Sequence, residues 1–309
     1  MLKYTLRRLL YMLITLWLIV TITFFLMKLL PGNPFGENSG KLPPASIQIL
    51  KEQYGLDKPV WQQYLKYVGN VAQGDLGVAY QFPNRPVVQV IKQSFPASAE
   101  LGLISLVFAV IVGLFLGTFA ALKHNKFGDY SAMFIALVGV SIPSFVIGPL
   151  LSYFVGNKWG LLPPGLWTGP EHRILPALAL SLGTIAILAR MMRASMLDVA
   201  SQDYIKTAKS KGIATGRVVF THMVRNAILP VVTIMGPIAV NLVTGTLVVE
   251  KIFAVPGLGS QFVSSITSSD YTMIMGLTIF YAAILIVVMF LTDIAYGLID
   301  PRIRLEGRR

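Results

Sequence analysis

The chain has no cysteine and few charged residues. The first absence excludes disulfides, thiolate nucleophiles and zinc or iron–sulfur sites held by cysteine. Asp, Glu, Lys and Arg make up 13% of the 309 residues, against roughly 25% in an average soluble domain. Hydrophobic residues make up 54%, and mean hydropathy is +0.67. This composition argues against a soluble enzyme, a nucleic-acid-binding domain or a disordered chain, and it predicts an integral membrane protein.

Motifs for catalysis or nucleotide hydrolysis are also missing. His124, His172 and His222 are scattered and form no metal-binding pattern, and there is no serine-nucleophile elbow. One segment resembles a phosphate-binding loop superficially, but Phe35 and Leu42 replace its required Gly and its required Ser or Thr. We therefore expect that the chain is not an enzyme and binds no cofactor or metal. A full reversal of a two-state population takes about 5.5 kcal/mol of differential binding, which a partner must supply.

Six apolar segments are long enough to cross a bilayer, whose core of about 30 Å needs about 20 helical residues. We therefore predict an all-α, polytopic membrane protein with six transmembrane helices. The fourth segment is short, and we expect it to continue as a helix past Ala189, with Arg190 and Arg193 reaching back to the interface. The six segments are 9–27, 97–121, 131–154, 174–189, 229–249 and 272–298.

The distribution of basic residues predicts the orientation, because Lys and Arg are retained on the cytoplasmic side during insertion. If the N-terminus is inside, the inner segments carry Lys and Arg at more than twice the density of the outer segments. Both termini are therefore predicted to be cytoplasmic. The net charge of +12 then reflects topology and contact with anionic headgroups, so we expect no nucleic-acid partner.

The centres of the predicted spans lack ionisable side chains, which argues against a gradient-driven carrier. Glu100 and Asp293 lie near the ends of spans, where pairing or contact with headgroups is expected. Asn241 is the strongest polar group deep in a span. Its amide can hydrogen-bond between helices or line a pathway.

Prolines interrupt the third and fifth spans, where each removes a backbone donor and kinks or loosens the helix. They are Pro143, Pro149, Pro230 and Pro237. In a membrane, the freed carbonyls must be satisfied by neighbouring helices or by a water-lined cavity. Ser141, Pro143 and Ser144 are therefore candidates for lining a pathway, and a plain packing kink is the alternative.

The first outer segment, residues 28–96, is long enough to carry structure of its own. Asp57 can cap a helix that begins near Pro59, with Tyr64 and Val68 on its apolar face. Such a helix can lie on the outer membrane surface or serve as a platform for an external partner.

The largest inner segment, residues 190–228, predicts a helical hairpin. Asp203 can cap a short helix through Lys211, and Gly212 provides a left-handed stop. Thr215 can cap a second helix that runs directly into the fifth span. A force on the first helix can then pass to that span as a rigid-body movement, although the hairpin can equally be a basic element resting on anionic lipid.

The sequence of this hairpin resembles the ATPase-docking loop of ATP-binding cassette importers, in the version found in oligopeptide, dipeptide and nickel permeases. The matching stretches are KTAKSKG at 206–212 and RNAILP at 225–230. Further matches, in the same order, are LPGNP at 30–34, NKFGDY at 125–130, SIPS at 141–144, VEKIF at 249–253, PGLG at 256–259 and DPR at 300–302. Within the family, the resemblance is greatest to the B-type membrane subunit of the oligopeptide branch.

The docking loop departs from the general importer pattern, which opens with Glu-Ala-Ala. Lys206 and Thr207 stand at its first two positions, so contacts made by that Glu do not transfer to this chain. The resemblance implies that Thr207, Ala208 and Gly212 belong to the docking loop, and we add Asp203 and Arg225 from the predicted hairpin.

The resemblance also implies a type I importer permease fold in three regions. These are an N-terminal transmembrane helix with its outer loop (1–94), the permease domain (95–301) and a basic cytoplasmic tail (302–309). Pro256, Gly257 and Gly259 suit a tight re-entrant turn near an outer gate, with an ordinary surface turn as the alternative.

The implied partners are a second, homologous permease subunit, two cytoplasmic ATPase subunits that bind ATP and Mg, an extracellular or periplasmic peptide-binding protein and the lipid bilayer. The implied location is a bacterial inner or plasma membrane. The expected cargo is peptide, with dipeptides or a nickel chelate as alternatives. The lack of His, Cys or carboxylate clusters favours peptide over metal. A carrier and a non-transporting scaffold for an ATPase are the competing hypotheses from other classes.

Overall fold

A computed structural model describes residues 2–29, 48–49, 52, 55–79, 85–244 and 247–299 of the chain. Within these residues the regular structure is helical, apart from one isolated bridge between Val78 and Pro86. The all-α prediction is confirmed. Several predicted features lie outside the described residues, namely the motifs at 30–34 and 300–302, the loop with Phe35 and Leu42, the side chain of Asp293 and the tail 302–309.

The described residues form helices at the following positions in chain order: α1 (Leu2–Leu29), α2 (Val60–Ala72), α3 (Val87–Leu122), α4 (Phe127–Ser141), α5 (Ser144–Leu151), α6 (Ile174–Ala200), α7 (Asp203–Ser210), α8 (Thr215–Arg217), α9 (Arg225–Thr244), α10 (Leu247–Ile252), α11 (Leu258–Thr267) and α12 (Tyr271–Ile299). The π-helical segments Ser152–Lys158 and Val218–Val224 continue α5 and α8, and the 3-10 turn Pro170–Arg173 precedes α6.

The number of candidate membrane spans agrees with the prediction. Among the described residues, 5 helical stretches are long and apolar enough to cross a membrane, and a sixth span results if α4 and α5 are counted together. The stretches are Leu6–Leu29, Val87–Leu122, Pro170–Ala200, Thr215–Ile252 and Tyr271–Leu291.

The chain divides into two compact units, one of residues 1–97 and 256–293 and the other of residues 98–255 and 294–309. In the first unit, α2 packs on the second half of α1. Thr21 Oγ1 and Tyr64 OH hydrogen-bond at 2.8 Å, and the rings of Phe24 and Tyr64 lie 5.5 Å apart. These contacts attach α2 to the N-terminal helix α1.

The predicted helix after Pro59 is confirmed, but its predicted cap is wrong. Pro59 itself occupies the N-cap position with ψ of 142°, and no side chain caps the helix. Asp57 therefore does not start α2. Proline suits this entry because its fixed φ is already close to the helical value.

The second unit is built around α6, which packs on α3 through two glycines one turn apart. A Cβ atom at Gly113 would lie 2.8 Å from Leu188 Cβ, and one at Gly117 would lie 2.7 Å from Met192 Cβ. Real Cβ atoms do not approach other carbons so closely, so the two helix backbones are in direct contact. Small residues at helix–helix contacts are typical of membrane proteins, where dispersion contacts replace the hydrophobic effect between helices.

The third predicted span is broken rather than merely kinked. α4 ends at Ser141, α5 begins at Ser144, and their axes differ by 101°. Ile142 is extended, with φ −102° and ψ 117°, because a residue that precedes proline avoids the helical region. Pro143 then occupies the N-cap position of α5, where its missing N–H costs nothing. Pro149 lies inside α5.

The fourth predicted span continues well past Ala189, as predicted. It forms α6, a helix of 27 residues that ends at Ala200. Its basic side chains do not behave alike, since Arg190 is exposed whereas Arg193 is held by an aspartate of α4.

Candidate coupling and pathway site

The predicted hairpin is present between α6 and α9. Its first helix, α7, covers Asp203–Ser210, and Gln202 rather than Asp203 occupies the N-cap position, without a side-chain cap. The predicted capping role of Asp203 is therefore wrong. Its carboxylate instead accepts a hydrogen bond from Lys206 Nζ at 2.9 Å, and both side chains are largely exposed. An exposed pair of this kind contributes little to stability.

The glycine stop is confirmed. Gly212 has φ of +71° and no atom lies within 4 Å of where its Cβ would be. Only the backbone conformation therefore demands glycine at this position. Gly212 N donates to Lys209 O at 3.0 Å, which closes the end of α7.

The second helix of the hairpin leads into the fifth span, as predicted. It begins with α8, continues through the π-helical segment and enters α9, so that Thr215–Ile252 is one candidate span. The predicted cap by Thr215 is wrong, because Ala214 occupies the N-cap position and no side chain caps the helix. Arg225 is exposed at the first position of α9.

The hairpin presents one face to its own chain and the other outward. Ile205 and Ala208 are buried in a cluster with Met192 and Met196 of α6, whereas Thr207 is exposed. Buried side chains three residues apart, with exposed side chains between them, are expected of a short amphipathic helix. Of the two central docking-loop residues from the sequence, Thr207 can face a partner, and Ala208 anchors the helix to α6.

The guanidinium of Arg193, which was predicted to reach back to the interface, binds Asp129 of α4 through two parallel hydrogen bonds. Arg193 Nε lies 2.6 Å from Asp129 Oδ1, and Arg193 Nη2 lies 2.6 Å from Asp129 Oδ2. Sequence analysis did not single out Asp129, although an acidic residue in the first turn of a helix beside a basic segment is a recognisable signal. The predicted pairing of Glu100 is confirmed, since its Oε1 lies 2.7 Å from Arg173 Nε.

The pathway candidates lie at the break and on α9. Ser141 and Pro143 are exposed and Ser144 is half-buried, and Ser141 Oγ donates to Leu137 O at 2.8 Å. Asn241 is exposed on α9. The structure therefore leaves these side chains at least partly accessible on the surface of the chain, with the two serines on either side of the break.

The PGLG turn differs in detail from the sequence prediction. Gly257 has φ of −95° and occupies the N-cap position of α11, so its conformation does not require glycine. Gly259 is buried in the first turn of α11, and Pro256 is exposed. The left-handed residue is Ala254, with φ of 53°, which sequence analysis did not identify.

A second unpredicted polar group is Glu250, which is 0% exposed. Ser98 Oγ donates to Glu250 Oε1 at 2.7 Å, and the two residues are 152 positions apart. Its signal in the sequence is a carboxylate within the apolar VVEKIF stretch. A buried polar group must be hydrogen-bonded, so Ser98 fixes α10 to α3.

Replacement of Glu250 by leucine is expected to destabilise the protein by about 1–3 kcal/mol, because the buried Ser98 hydroxyl loses this acceptor. Glu250→Gln keeps an acceptor oxygen on a side chain of the same length and should lie much closer to the native stability. Thermal inactivation of the purified assembly measures both variants. Equal midpoints for Glu250→Leu and the native protein would contradict the structural role.

Clusters of His, Asp and Glu suited to a metal ion are not found within the described residues. A basic, solvent-facing helix is joined through a glycine stop to one span and packed through methionines on another.

Most of the chain matches two described families. Residues 113–305 match the binding-protein-dependent transport system inner membrane component family. Residues 1–102 match the N-terminal region of binding-protein-dependent transport system membrane components. The chain belongs to this family. Its members are membrane permease subunits, and the helices long enough to cross a membrane agree with a multi-pass member.

Similar bacterial proteins align over nearly the full length of the chain. The chain is 45% identical to the dipeptide transport system permease protein DppB of Bacillus subtilis, over 100% of both chains. It is 41% identical to the oligopeptide transport system permease protein OppB of Escherichia coli K12, over 98% of this chain and 100% of that protein.

Solved structures show the same fold at low identity. A structure of the MetNI methionine ABC transporter in inward-facing conformations aligns with a TM-score of 0.58 at 15% identity, over 69% of this chain and 97% of the matched chain. An amino acid ABC transporter aligns with a TM-score of 0.53 at 17% identity, over 67% of this chain and 92% of the matched chain. The importer permease fold expected for the family is confirmed.

Proposed function

We propose that this family member forms half of a translocation pathway for peptide uptake and is driven by cytoplasmic ATPases that dock on the loop at 203–230. The observation that carries the proposal is full-length identity of 39–45% to permease proteins named for dipeptide or oligopeptide transport. The chain would then be a subunit without ATPase activity, and ATP and Mg would be bound by its partners.

The geometry of the hairpin supports docking at this loop. The solvent-facing side of α7 carries Lys206, Thr207 and Lys209, while the opposite side is anchored on α6. A partner that pushes on this helix therefore moves packed spans rather than a free loop. If the hairpin only rested on anionic lipid, nothing would push α7 in one direction.

The exposed apolar surface around the break supports a second permease subunit. Phe134 is 65% exposed, Ile135 59% and Phe145 55%, on the two helices that flank the candidate pathway residues. The polar break between them suits a pathway shared with a homologous subunit rather than contact with lipid. A binding protein would deliver peptide from the side of the membrane opposite the ATPases.

Peptide uptake by the reconstituted assembly tests the proposal. Proteoliposomes that contain both permease subunits and the ATPases should accumulate labelled peptide only when ATP is present inside with the ATPases and binding protein is present outside. The permease reconstituted alone should give no uptake. Accumulation that follows an ion gradient without ATP would contradict the proposal.

Dipeptides are the second candidate cargo, because two relatives, at 45% and 43% identity, are named dipeptide permeases. Competition in the same vesicles separates the two cargoes. An excess of unlabelled dipeptide should block uptake of labelled dipeptide, whereas a five-residue peptide should not compete if the system is dedicated to dipeptides. A nickel chelate should compete with neither peptide.

Cysteine labelling tests the proposed orientation, and the chain is suited to it because it has no native cysteine. Lys209→Cys on α7 should react with a membrane-impermeant maleimide only after the inner face is opened. Lys158→Cys, which is also at an exposed position, should react in intact cells. Reaction of Lys209→Cys in intact cells would place the hairpin outside and contradict ATPase docking.

A further inference from the structure

The buried part of the contact between α4 and α6 is formed by small residues. These are Ala136 of α4 and Ala186 and Ala189 of α6. One turn further along α4, a Cβ at Gly139 would lie 3.0 Å from Leu182 O. Small residues allow close approach of the two backbones and carry no long side chain that could interlock the helices. These buried residues therefore set the spacing of α4 and α6 more firmly than their register along the helix axis.

The Asp129–Arg193 pair holds the two helices at one end of this contact. The two parallel hydrogen bonds restrict both the distance and the orientation of the side chains. Asp129 is 1% exposed, and Asn125 N donates to its Oδ2 at 3.0 Å. His124 Nδ1 lies 3.4 Å from the same oxygen. The carboxylate is thus held on several sides, as a register-fixing contact requires.

The same stretch of α6 carries the docking hairpin. Met192 and Met196, before and after Arg193 along the helix, are both 0% exposed, and they pack in one cluster with Ile205 and Ala208 of α7. A helix resists stretching because each turn is hydrogen-bonded to the next. Displacement of α7 therefore displaces Arg193 as well.

The structure points to a further role for these residues, one that rests on the proposed docking function of the hairpin. We propose that Asp129 and Arg193 are a positioning pair that locks the register of α4 on α6, so that movement of α7 reaches the break at 142–143. α4 runs from Asp129 to Ser141 without interruption. Without the lock, α6 would move along the small-residue contact and leave the break unchanged.

Reconstitution of the full assembly with Asp129→Asn, Arg193→Lys and the double variant tests the pair. The readout is peptide transported per ATP hydrolysed, with basal ATP hydrolysis measured in parallel. Each single variant should lower transport per ATP by about tenfold, because either change removes the pair of charge-assisted hydrogen bonds that fixes the register. The double variant should be no worse than either single variant, since residues that act as one unit are not additive.

Arg173→Lys is the matched control. Arg173 also forms an ion pair near α6, but at the other end, with a partly exposed partner. Its transport per ATP should stay close to that of the native protein. The proposal would be overturned if transport per ATP were unchanged in both single variants, or if the two losses multiplied in the double variant. An equal loss in the Arg173→Lys control would also overturn it.

A distance measurement tests the lock even if the variants fold poorly. Spin labels at Phe134→Cys on α4 and Ile187→Cys on α6, both exposed positions, report register in the otherwise native, cysteine-free chain. The distance should be the same in nucleotide-free and ATP-bound assemblies, and it should broaden in Arg193→Lys. A shift of about 5.4 Å, one helical turn, in the chain with native Asp129 and Arg193 would overturn the lock. A native assembly that takes up no peptide contradicts the proposed function instead, and the label distance still tests the lock.

Discussion

Replacement of Gly117 by leucine is expected to abolish stable assembly of the protein. A Cβ at this position would lie 2.5 Å from Ala189 O and 3.1 Å from Arg193 N, both backbone atoms of α6. Backbone atoms cannot rotate aside as the end of a flexible side chain can. α3 and α6 must therefore separate along their contact, which costs at least the ~3 kcal/mol at the upper end of ordinary overpacking.

The measurement for Gly117→Leu is the yield of monodisperse, detergent-purified protein and its melting midpoint. Gly216→Leu is the matched control, because no atom lies within 4 Å of a Cβ at Gly216. Gly183→Ala is a second control on α6 itself, where the nearest atom, Gly139 O, lies 3.9 Å away. A native elution profile and midpoint for Gly117→Leu would show that the close approach of α3 and α6 does not exist.

Replacement of Gly212 by valine is expected to uncouple transport from ATP hydrolysis while leaving the protein folded in the membrane. The φ of +71° at Gly212 lies in the left-handed region, where an L-residue loses about 1–2 kcal/mol. A loss of this size lowers the population of the correct hairpin by about 5–30-fold. Because the site is open, no other part of the structure is disturbed.

The readout for Gly212→Val is ATP hydrolysis stimulated by loaded binding protein, measured with the amount of ATPase subunit that co-purifies. Gly212→Asn should retain much more coupling, because asparagine tolerates the left-handed region. Gly216→Val controls for added bulk in the same hairpin, since Gly216 is equally unobstructed and its φ is ordinary. Native stimulation in Gly212→Val would refute the role of the glycine stop.

Features that depend on neighbouring residues were predicted well. Span positions follow from runs of apolar residues. The prolines of the third span indicated a disruption, because a proline ring acts on its own helix and on the residue before it, but sequence analysis predicted a kinked or loosened helix where the structure has a break. The stop at Gly212 is equally local, because the left-handed conformation is a property of one residue. The positive φ at Ala254 was not predicted, since alanine carries no such preference.

The predicted helix caps show that the exact first residue of a helix is harder to predict than the helix itself. Asp203 and Thr215 each lie at the first helical position, one residue later than a cap requires. Asp57 lies two residues before Pro59, the N-cap residue of α2. Capping residue types mark the region of a helix start, but the position of the last non-helical residue depends on how the helix packs against its neighbours.

Long-range contacts account for what sequence analysis missed. Asp129 and Arg193 are 64 residues apart, and Ser98 and Glu250 are 152 residues apart. Nothing near Arg193 in the chain distinguishes a side chain that reaches lipid headgroups from one that binds an aspartate. The spacing of Gly113 and Gly117 was a usable signal for close helix packing, although it does not specify α6 as the partner.

The sequence by itself determined that this is a multi-span helical membrane protein with a basic hairpin, a glycine stop and prolines that disrupt the third span, because composition, periodicity and residue conformation are local properties. Only the tertiary structure decided which helix each glycine faces, that Arg193 binds Asp129 and that Ala208 is buried while Thr207 is exposed. The physical reason is that apolar helices of similar length pack with similar energy. Their partners are therefore selected by close backbone approach and by a few buried polar contacts between residues far apart in the chain.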